Sequence, residues 1–131
     1  MTPITRILET AIYVDDLDAA EQFYSKVLDL TLHNKVEKHF LFYKLDNCML
    51  LIFDPAYAEE EGHEIPTHGA EGVCHFAFRM EQEQLDAWSQ RLTERGVEIE
   101  HDHQWPNGAR SIYFRDPAGN SLELAPWKLW D

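Results

Sequence analysis

The sequence of 131 residues has few cysteines, few basic side chains and no long apolar run. No stretch approaches eighteen uncharged apolar residues, so a membrane-spanning helix is excluded. The two cysteines, Cys48 and Cys74, do not form a Cys-x-x-Cys pair. Each lies within an apolar run, where a free cysteine behaves as a small buried side chain rather than half of a disulfide. The first residues lack the basic-then-apolar order of a signal peptide, so we expect a cytoplasmic protein.

The shortage of basic residues also restricts the partners of the chain. It has 11 Lys and Arg residues against 24 Asp and Glu, a formal net charge of −13. That field repels nucleic acid and anionic membrane surfaces, and it disfavours highly anionic substrates. The remaining expectation is a small-molecule ligand. With 44% hydrophobic residues, the chain has enough apolar surface for one globular domain over residues 1–131.

Periodicity predicts a strand–helix–three-strand module at about residues 5–54. Residues 6–14 alternate like a strand, and Asp16 is the expected N-cap of a helix with an apolar stripe. Three further strands are expected at about 31–38, 39–45 and 48–53. Residues 55–71 contain two prolines, a Glu59-Glu60-Glu61 run and no apolar periodicity, which indicates a linker without regular structure.

The same pattern then repeats at about residues 72–126. It predicts a strand at 72–80, a helix at 82–95 that ends at Gly96, and strands at 97–101, 109–115 and 121–125. The helix of each module covers one face of its sheet, so the other face must close against a second sheet. This predicts an α+β fold of two tandem βαβββ modules. The apolar tail, residues 127–131, is expected to pack either over the sheets or against a partner chain, and we favour the partner chain.

Strand alternation places one ionisable group in the middle of three strands, on the face away from the helix. These groups are Glu9, His75 and Glu123, and we expect them to converge in one pocket. Two carboxylates in a partly dry cavity need a counter-charge, which a divalent cation supplies. Oxygen and nitrogen ligands suit Mn²⁺, Fe²⁺, Ni²⁺, Co²⁺, Zn²⁺ or Mg²⁺. The alternative is that each residue has a purely structural role.

Three segments resemble the glyoxalase/bleomycin-resistance/dioxygenase superfamily, also called the vicinal oxygen chelate superfamily. Residues 8–28 resemble its first-module signature, and His75-Phe-Ala-Phe78 resembles the start of its second module. Arg110-Ser-Ile-Tyr-Phe-Arg-Asp-Pro-Ala-Gly-Asn-Ser-Leu-Glu-Leu124 is similar to its closing hairpin. The resemblance implies a half-closed barrel around a central cavity, and it implies homodimers. It also implies metal ligands at Glu9, Leu50, His75 and Glu123, of which Leu50 cannot bind a metal.

The resemblance implies two alternative functions. One is a metal-dependent enzyme that chelates a small oxygenated substrate on a single divalent ion, as a lyase, isomerase or dioxygenase. The missing fourth ligand argues against lactoylglutathione lyase chemistry. The other is a metal-free protein that sequesters an antibiotic, as bleomycin-resistance proteins do. Retention of His75 and Glu123 favours the first function, whereas the acidic charge, which attracts cationic drugs, favours the second.

Further residues are candidates for contact with a substrate. The resemblance implies that a ligand carboxylate, Glu9 or Glu123, can detach and act as a base; Glu9 is the first catalytic candidate and Tyr113 the second. Ser111 and Tyr113 alternate onto the cavity face, where they either bind substrate or simply fill the wall. The cations Arg79 and Arg115 can bind a substrate carboxylate, although their places near strand ends also fit solvated side chains. Two other histidines, His101 and His103, lie at the end of the predicted strand 97–101 in a polar loop. They either bind a metal or, as we expect, face solvent.

Overall fold

The computed structural model describes residues 1–131 and divides them into two compact units, Met1–Gly72 and Val73–Asp131. Each unit is one copy of the predicted module, with a four-stranded mixed sheet and helical segments. The α+β fold of two tandem βαβββ modules is therefore confirmed. None of its helices has the length and apolar character needed to cross a bilayer.

The first unit has its sheet strands in the order β1-β4-β3-β2, with β1 parallel to β4 and the other pairs antiparallel. Helix α1 continues directly into one π-helical turn, Phe23–Val27. The elements are β1 (Glu9–Tyr13), α1 (Leu17–Gln22), β2 (Leu32–Val36), β3 (Phe40–Lys44), β4 (Met49–Phe53) and α2 (Pro55–Glu59).

The helical segment of the first unit covers one face of its sheet. Asp16 begins the helix as predicted, because its Oδ1 accepts the N–H of Ala19 at 3.0 Å. Tyr24 is fully buried there, and its ring centroid lies 6.0 Å from that of Tyr43 in β3. The Tyr43 hydroxyl is hydrogen-bonded to Ser25 at 2.8 Å. Packing on this face leaves the opposite face of the sheet open, and that face carries the candidate site residues.

The second unit repeats this arrangement, with strand order β5-β8-β7-β6 and β5 parallel to β8. Leu85 and Leu92 of its helix are fully buried, as the predicted apolar stripe requires. A single 3₁₀ turn, Gln82–Gln84, precedes the helix, and another, Trp127–Trp130, ends the chain. The elements are β5 (His75–Arg79), α3 (Leu85–Glu94), β6 (His101–Gln104), β7 (Arg110–Arg115) and β8 (Ser121–Ala125).

Two local predictions are wrong. The sixth strand begins at His101 instead of Val97, so His101 and His103 are strand residues paired with Tyr113 and Ser111. The segment expected to lack regular structure contains α2. That helix forms because Asp54 Oδ2 accepts the N–H of Tyr57 at 3.0 Å and a proline occupies its first turn.

Both cysteines are free, but they are not the buried apolar residues that their sequence context indicates. Cys48 is half-buried and Cys74 is exposed. The backbone N–H of Cys74 donates to Asn120 Oδ1 at 2.9 Å, and its thiol donates to the same oxygen at 3.3 Å. Cys74 therefore takes part in the polar turn that precedes β8.

Candidate metal and substrate site

A chain of hydrogen bonds holds the carboxylate of Glu123 in the middle of β8. Glu123 is only 5% exposed. Its Oε2 accepts the Ser111 hydroxyl at 2.6 Å, and Ser111 Oγ in turn accepts the indole N–H of Trp105 at 2.8 Å. Since Ser111 belongs to β7, the strand paired with β8, one carboxylate oxygen is fixed and the other is directed elsewhere.

The other oxygen of Glu123 faces His75 of β5. Its Oε1 lies 3.2 Å from His75 Nε2. On the far side of the ring, His75 Nδ1 lies 2.9 Å from the Ser121 carbonyl oxygen. A carbonyl can only accept, so the hydrogen of a neutral imidazole is on Nδ1 and the lone pair is on Nε2. A backbone partner of this kind is common for a histidine that binds a metal.

This geometry fits a shared cation. The Nε2 lone pair and the carboxylate Oε1 are both acceptors, so their approach requires either a proton or a cation between them. Ligand bonds of about 2.0–2.2 Å place neighbouring ligands of one ion roughly 3.0–3.4 Å apart. The observed separation of 3.2 Å lies within that range. His75 keeps half of its side chain exposed, which leaves room for further ligands.

Tyr113 of β7 stands beside this pair. It is directly opposite Glu123 in the sheet, and its ring centroid lies 6.2 Å from that of His75. Burial raises the pKa of the Tyr113 phenol, and the negative charge of Glu123 raises it further. The phenol therefore remains protonated at neutral pH and can donate a hydrogen bond. His101 lies on its other side, with ring centroids 6.1 Å apart and its Nε2 3.1 Å from His103 Nδ1.

The third predicted ligand, Glu9, lies on β1 in the first unit, on the open face of that sheet. The structure brings His75 and Glu123 together, whereas no group of three His, Cys, Asp or Glu side chains is arranged to hold a metal ion. The set of Glu9, His75 and Glu123 therefore stays a prediction.

The strand registers correct the position of the missing fourth ligand. In the second unit, His75 pairs with Ser121 and Ala77 pairs with Glu123. In the first unit, Glu9 pairs with Met49, and the equivalent of the Ala77–Glu123 pair joins Ala11 to Leu51. The prediction that Leu50 stands at the position of Glu123 is wrong by one residue. Such a shift matters because it turns a side chain to the opposite face of the sheet.

Leu51 and Leu50 accordingly have different surroundings. Leu51 lines the cavity on the open face together with Glu9, whereas Leu50 is paired with Thr10, which alternates onto the helix side. The conclusion that the first unit lacks this ligand holds, since leucine provides no donor atom. The absent ligand is at position 51.

The open face of the first unit forms a cavity of about 910 Å³. The Phe40 and Phe42 rings are stacked along β3, with centroids 4.0 Å apart and planes inclined by 15°. Phe53 meets Phe42 edge-on at 5.5 Å, and His68 meets Phe53 edge-on at 4.6 Å. The alternation of Phe40 and Phe42 within one strand was a sequence signal for this aromatic wall, although it does not reveal that His68 completes it.

The two arginines proposed for substrate binding lie at strand ends. Arg115 donates through Nε to Glu100 at 3.0 Å and through Nη1 to the Gly119 carbonyl at 3.0 Å. The Arg79 guanidinium lies 5.7 Å from the ring centre of Trp127. A substrate carboxylate at Arg115 would have to compete with Glu100. Binding of substrate by Arg79 and Arg115 stays a prediction.

Comparison with known proteins gives a consistent family. The model described as Glyoxalase/Bleomycin resistance protein/Dioxygenase superfamily matches residues 6–124. A crystal structure of lactoylglutathione lyase from Agrobacterium tumefaciens is 44% identical, has a TM-score of 0.94 and is covered over 98% of both chains. Metallothiol transferase FosB from Bacillus licheniformis is 32% identical over 90% of this chain and 73% of its own. Glutathione transferase FosA from Serratia marcescens is 32% identical over 85% of this chain and 73% of its own.

Proposed function

Because the chain belongs to the glyoxalase/bleomycin resistance protein/dioxygenase superfamily, we propose that it is a metal-dependent enzyme acting on a small oxygenated substrate. One divalent ion, among Mn²⁺, Fe²⁺, Ni²⁺, Co²⁺, Zn²⁺ and Mg²⁺, would be held by Glu9, His75 and Glu123. The observation that carries the proposal is the 3.2 Å approach of His75 Nε2 to Glu123 Oε1, with Nδ1 committed to a backbone carbonyl. The name of the FosB relative, a metallothiol transferase, supports a metal as well.

The protein groups would divide the work around that ion. A bound divalent ion supplies Lewis-acid stabilisation of negative charge on a substrate oxygen. Ser111 keeps one oxygen of Glu123 occupied, so that only the other oxygen is presented to the ion. The protonated Tyr113 phenol would donate a hydrogen bond to the substrate, and Glu9 would accept a substrate proton. The relatives include a lactoylglutathione lyase and a metallothiol transferase, so the proposal covers more than one reaction at the same metal.

Metal analysis of the purified chain tests the proposal. We expect about one divalent ion per chain by elemental analysis, and a rise in melting temperature when Mn²⁺, Ni²⁺, Zn²⁺ or Fe²⁺ is added. His75→Ala and Glu123→Ala should each abolish tight binding and preserve the fold. His33→Ala is the matched control, since it removes an exposed histidine of β2. Unchanged metal content in both site variants would overturn the assignment.

A second function is supported by the aromatic cavity of the first unit. A metal-free protein that sequesters an antibiotic needs an apolar, preformed pocket of drug size, and the cavity of about 910 Å³ fits that need. The same metal measurement discriminates the two functions. A chain that binds no metal in any of the four titrations, yet is stabilised by an aromatic drug, would be a sequestering protein.

We also propose a cytoplasmic homodimer, with the tail at the contact between subunits. Trp127 is 59% exposed and Trp130 is 78% exposed, an unusual amount for tryptophan. Leu8 on the chain leading into β1 and Val73 before β5 are also exposed. Light scattering should give twice the chain mass, and Trp130→Ser should weaken the association.

A further inference from the structure

The two units have chemically different open faces at matching positions. In the second unit, the face carries Ser111, Tyr113 and Glu123. Since Phe42 pairs with Leu51 as Tyr113 pairs with Glu123, Phe42 is the counterpart of Tyr113, and Phe40 is the counterpart of Ser111. The hydroxyl and carboxylate groups of one unit are thus replaced by apolar side chains in the other, two of them phenylalanines. The polar face suits a metal ion, whereas the aromatic face suits a large apolar ligand.

The rings of the aromatic face leave surface uncovered for such a ligand. Phe40, Phe42 and Tyr57 are each only half-buried within the unit. Phe53 meets Phe40 and Phe42 edge-on, so its ring braces the Phe40–Phe42 stack. The cavity volume of about 910 Å³ is near the upper end of the range for pockets that bind drug-sized ligands. A pocket of this size can hold a ligand of several fused rings.

The wall formed by residues 55–68 is held in place without a ligand. The backbone N–H of His68 donates to the Ala58 carbonyl at 3.1 Å, and the Tyr13 hydroxyl is hydrogen-bonded to His68 Nδ1 at 2.6 Å. His63 Nε2 lies 3.1 Å from the Tyr57 carbonyl oxygen. A wall fixed by its own hydrogen bonds reduces the entropy lost on binding.

The charges on the cavity select against anions. The lining includes the carboxylates of Glu9 and Glu64 but no lysine or arginine. Aromatic rings present a negative face, which attracts cations. The net charge of −13 acts in the same direction at longer range.

We propose that the aromatic cavity of the first unit binds a planar, multi-ring aromatic cation, which extends the Phe40–Phe42 stack and places its charge near Glu64. This inference names the ligand class of the cavity and rests on the second proposed function, that of a sequestering protein. Of the three proposed metal ligands only Glu9 lines the cavity, so contacts with the aromatic rings can be tested separately from metal binding at His75 and Glu123.

The test uses three ring systems of similar size: the cation ethidium, its neutral relative 6-phenylphenanthridine, and the anion 1-anilinonaphthalene-8-sulfonate. Each is titrated by fluorescence or calorimetry at physiological salt into the full chain, as purified and again after EDTA treatment. We expect ethidium to bind at least about tenfold more tightly than the anion, as cation–π and acidic contacts of this kind predict. Equal or tighter binding of the anion overturns the proposal.

Matched variants locate the ligand. Phe40→Leu and Phe42→Leu keep the residue apolar but remove the ring, so they should weaken ethidium binding about 3- to 30-fold each. Phe78→Leu is the control, because it makes the same change in β5 of the other unit. Glu64→Gln should weaken ethidium and leave 6-phenylphenanthridine unchanged. Equal effects of the three Phe→Leu changes overturn the proposal.

The outcomes separate this inference from the proposed function. Ethidium binding by a chain that takes up no metal in any of the four titrations supports the cavity and counts against the enzyme. Metal bound at His75 and Glu123 without ethidium binding supports the enzyme and overturns the ligand class. Ethidium binding that disappears with EDTA would mean that the aromatic rings and Glu64 alone do not hold the dye, which also overturns the inference.

Discussion

Ser111 Oγ donates a 2.6 Å hydrogen bond to Glu123 Oε2, between neighbouring strands of the second unit. Because Glu123 is almost fully buried, this bond determines which way its carboxylate faces. The bond also links Glu123 to Trp105, whose indole N–H donates to Ser111. Two side chains, Ser111 and Trp105, therefore set the orientation of one proposed metal ligand.

Removal of the serine hydroxyl should weaken metal binding. Partners that orient a metal ligand typically contribute about 10- to 100-fold in affinity, so we expect a loss of that size in Ser111→Ala. The loss of one buried hydrogen bond should also lower the free energy of unfolding by about 1–2 kcal/mol. Metal titration and urea denaturation measure the two effects.

Ser121→Ala is the control for that variant. The Ser121 hydroxyl lies 3.3 Å from His75 Nδ1, but the backbone carbonyl of the same residue lies closer, at 2.9 Å. Loss of the hydroxyl should therefore change metal affinity little. If Ser121→Ala and Ser111→Ala bind the metal with the same affinity, the orientation of Glu123 by Ser111 does not contribute to metal binding.

A carboxylate at position 51 should add a fourth ligand. The strand register makes Leu51 the counterpart of Glu123, on the face that carries Glu9. We expect Leu51→Glu to raise metal affinity, because a charged oxygen donor then stands where leucine has none. Turnover of the methylglyoxal–glutathione adduct by this variant would support the equivalence of the two positions.

The neighbouring substitution is its control. Leu50 is buried and pairs with Thr10 on the helix side, so Leu50→Glu places an unpaired carboxylate in the core. It should destabilise the chain by about 2–4 kcal/mol with no gain in metal affinity. A gain in metal affinity by Leu50→Glu instead of Leu51→Glu would contradict the observed register.

The pair Arg110–Asp102 should make stability depend on pH. Hydrogen bonds from Arg110 hold the pKa of the Asp102 carboxyl below its ordinary value. A lowered folded-state pKa means that the stabilisation is present above the unfolded-state pKa, about 3.9, and is lost as pH falls through the folded-state value. The stability difference between wild type and Arg110→Gln should therefore be constant near neutral pH and shrink below about pH 4.

Thermal unfolding at several pH values measures this difference. Asp102→Asn serves as the reference background, because it lacks the titrating group. In that background, the effect of Arg110→Gln should no longer shrink with acid, except for the part contributed by Asp86, whose Oδ1 accepts from Arg110 at 2.6 Å. The same acid dependence in both backgrounds would show that Asp102 is not responsible.

The capping residue of α2 should affect both stability and the aromatic cavity. Asp54→Ala removes the acceptor of the Tyr57 N–H, which typically costs about 0.5–2 kcal/mol. Since α2 begins the wall that holds His68, ethidium binding should weaken as well. Asp46→Ala changes an exposed turn of the same unit and should leave both quantities unchanged. If Asp54→Ala leaves ethidium affinity unchanged, the wall formed by residues 55–68 does not contribute to ligand binding.

Sequence reasoning succeeded where alternation alone decides the outcome. Period two places Glu9, His75 and Glu123 on the faces away from the helices, because adjacent side chains in a strand must point to opposite sides. The same argument places Tyr113 beside Glu123. It requires only that each strand exists, and the apolar patterns of β1, β5 and β8 make that plain.

It failed where the outcome depends on pairing between strands. The register of β4 against β1 depends on hydrogen bonds between segments that are distant in sequence. An alignment of the two hairpins by their turns does not contain that information, and it gives Leu50 instead of Leu51 as the counterpart of Glu123. The sixth strand was misplaced because Val97 and Ile99 have strand composition, whereas His101–Gln104 forms the strand through its pairing with β7. Trp105 lies beyond a strand end, where alternation gives no information about its contact with Ser111.

The hydrogen bond from His75 Nδ1 to the Ser121 carbonyl has a consequence for how such a site changes over generations. A main-chain acceptor is retained whichever amino acid occupies position 121, so long as β5 and β8 remain paired. The carboxylate of Glu123 depends instead on the side chains of Ser111 and Trp105, and a single codon change at either position can release it. Random substitutions would therefore change the orientation of the Glu123 carboxylate sooner than that of the His75 imidazole. Related proteins should differ first in how they hold the oxygen ligand.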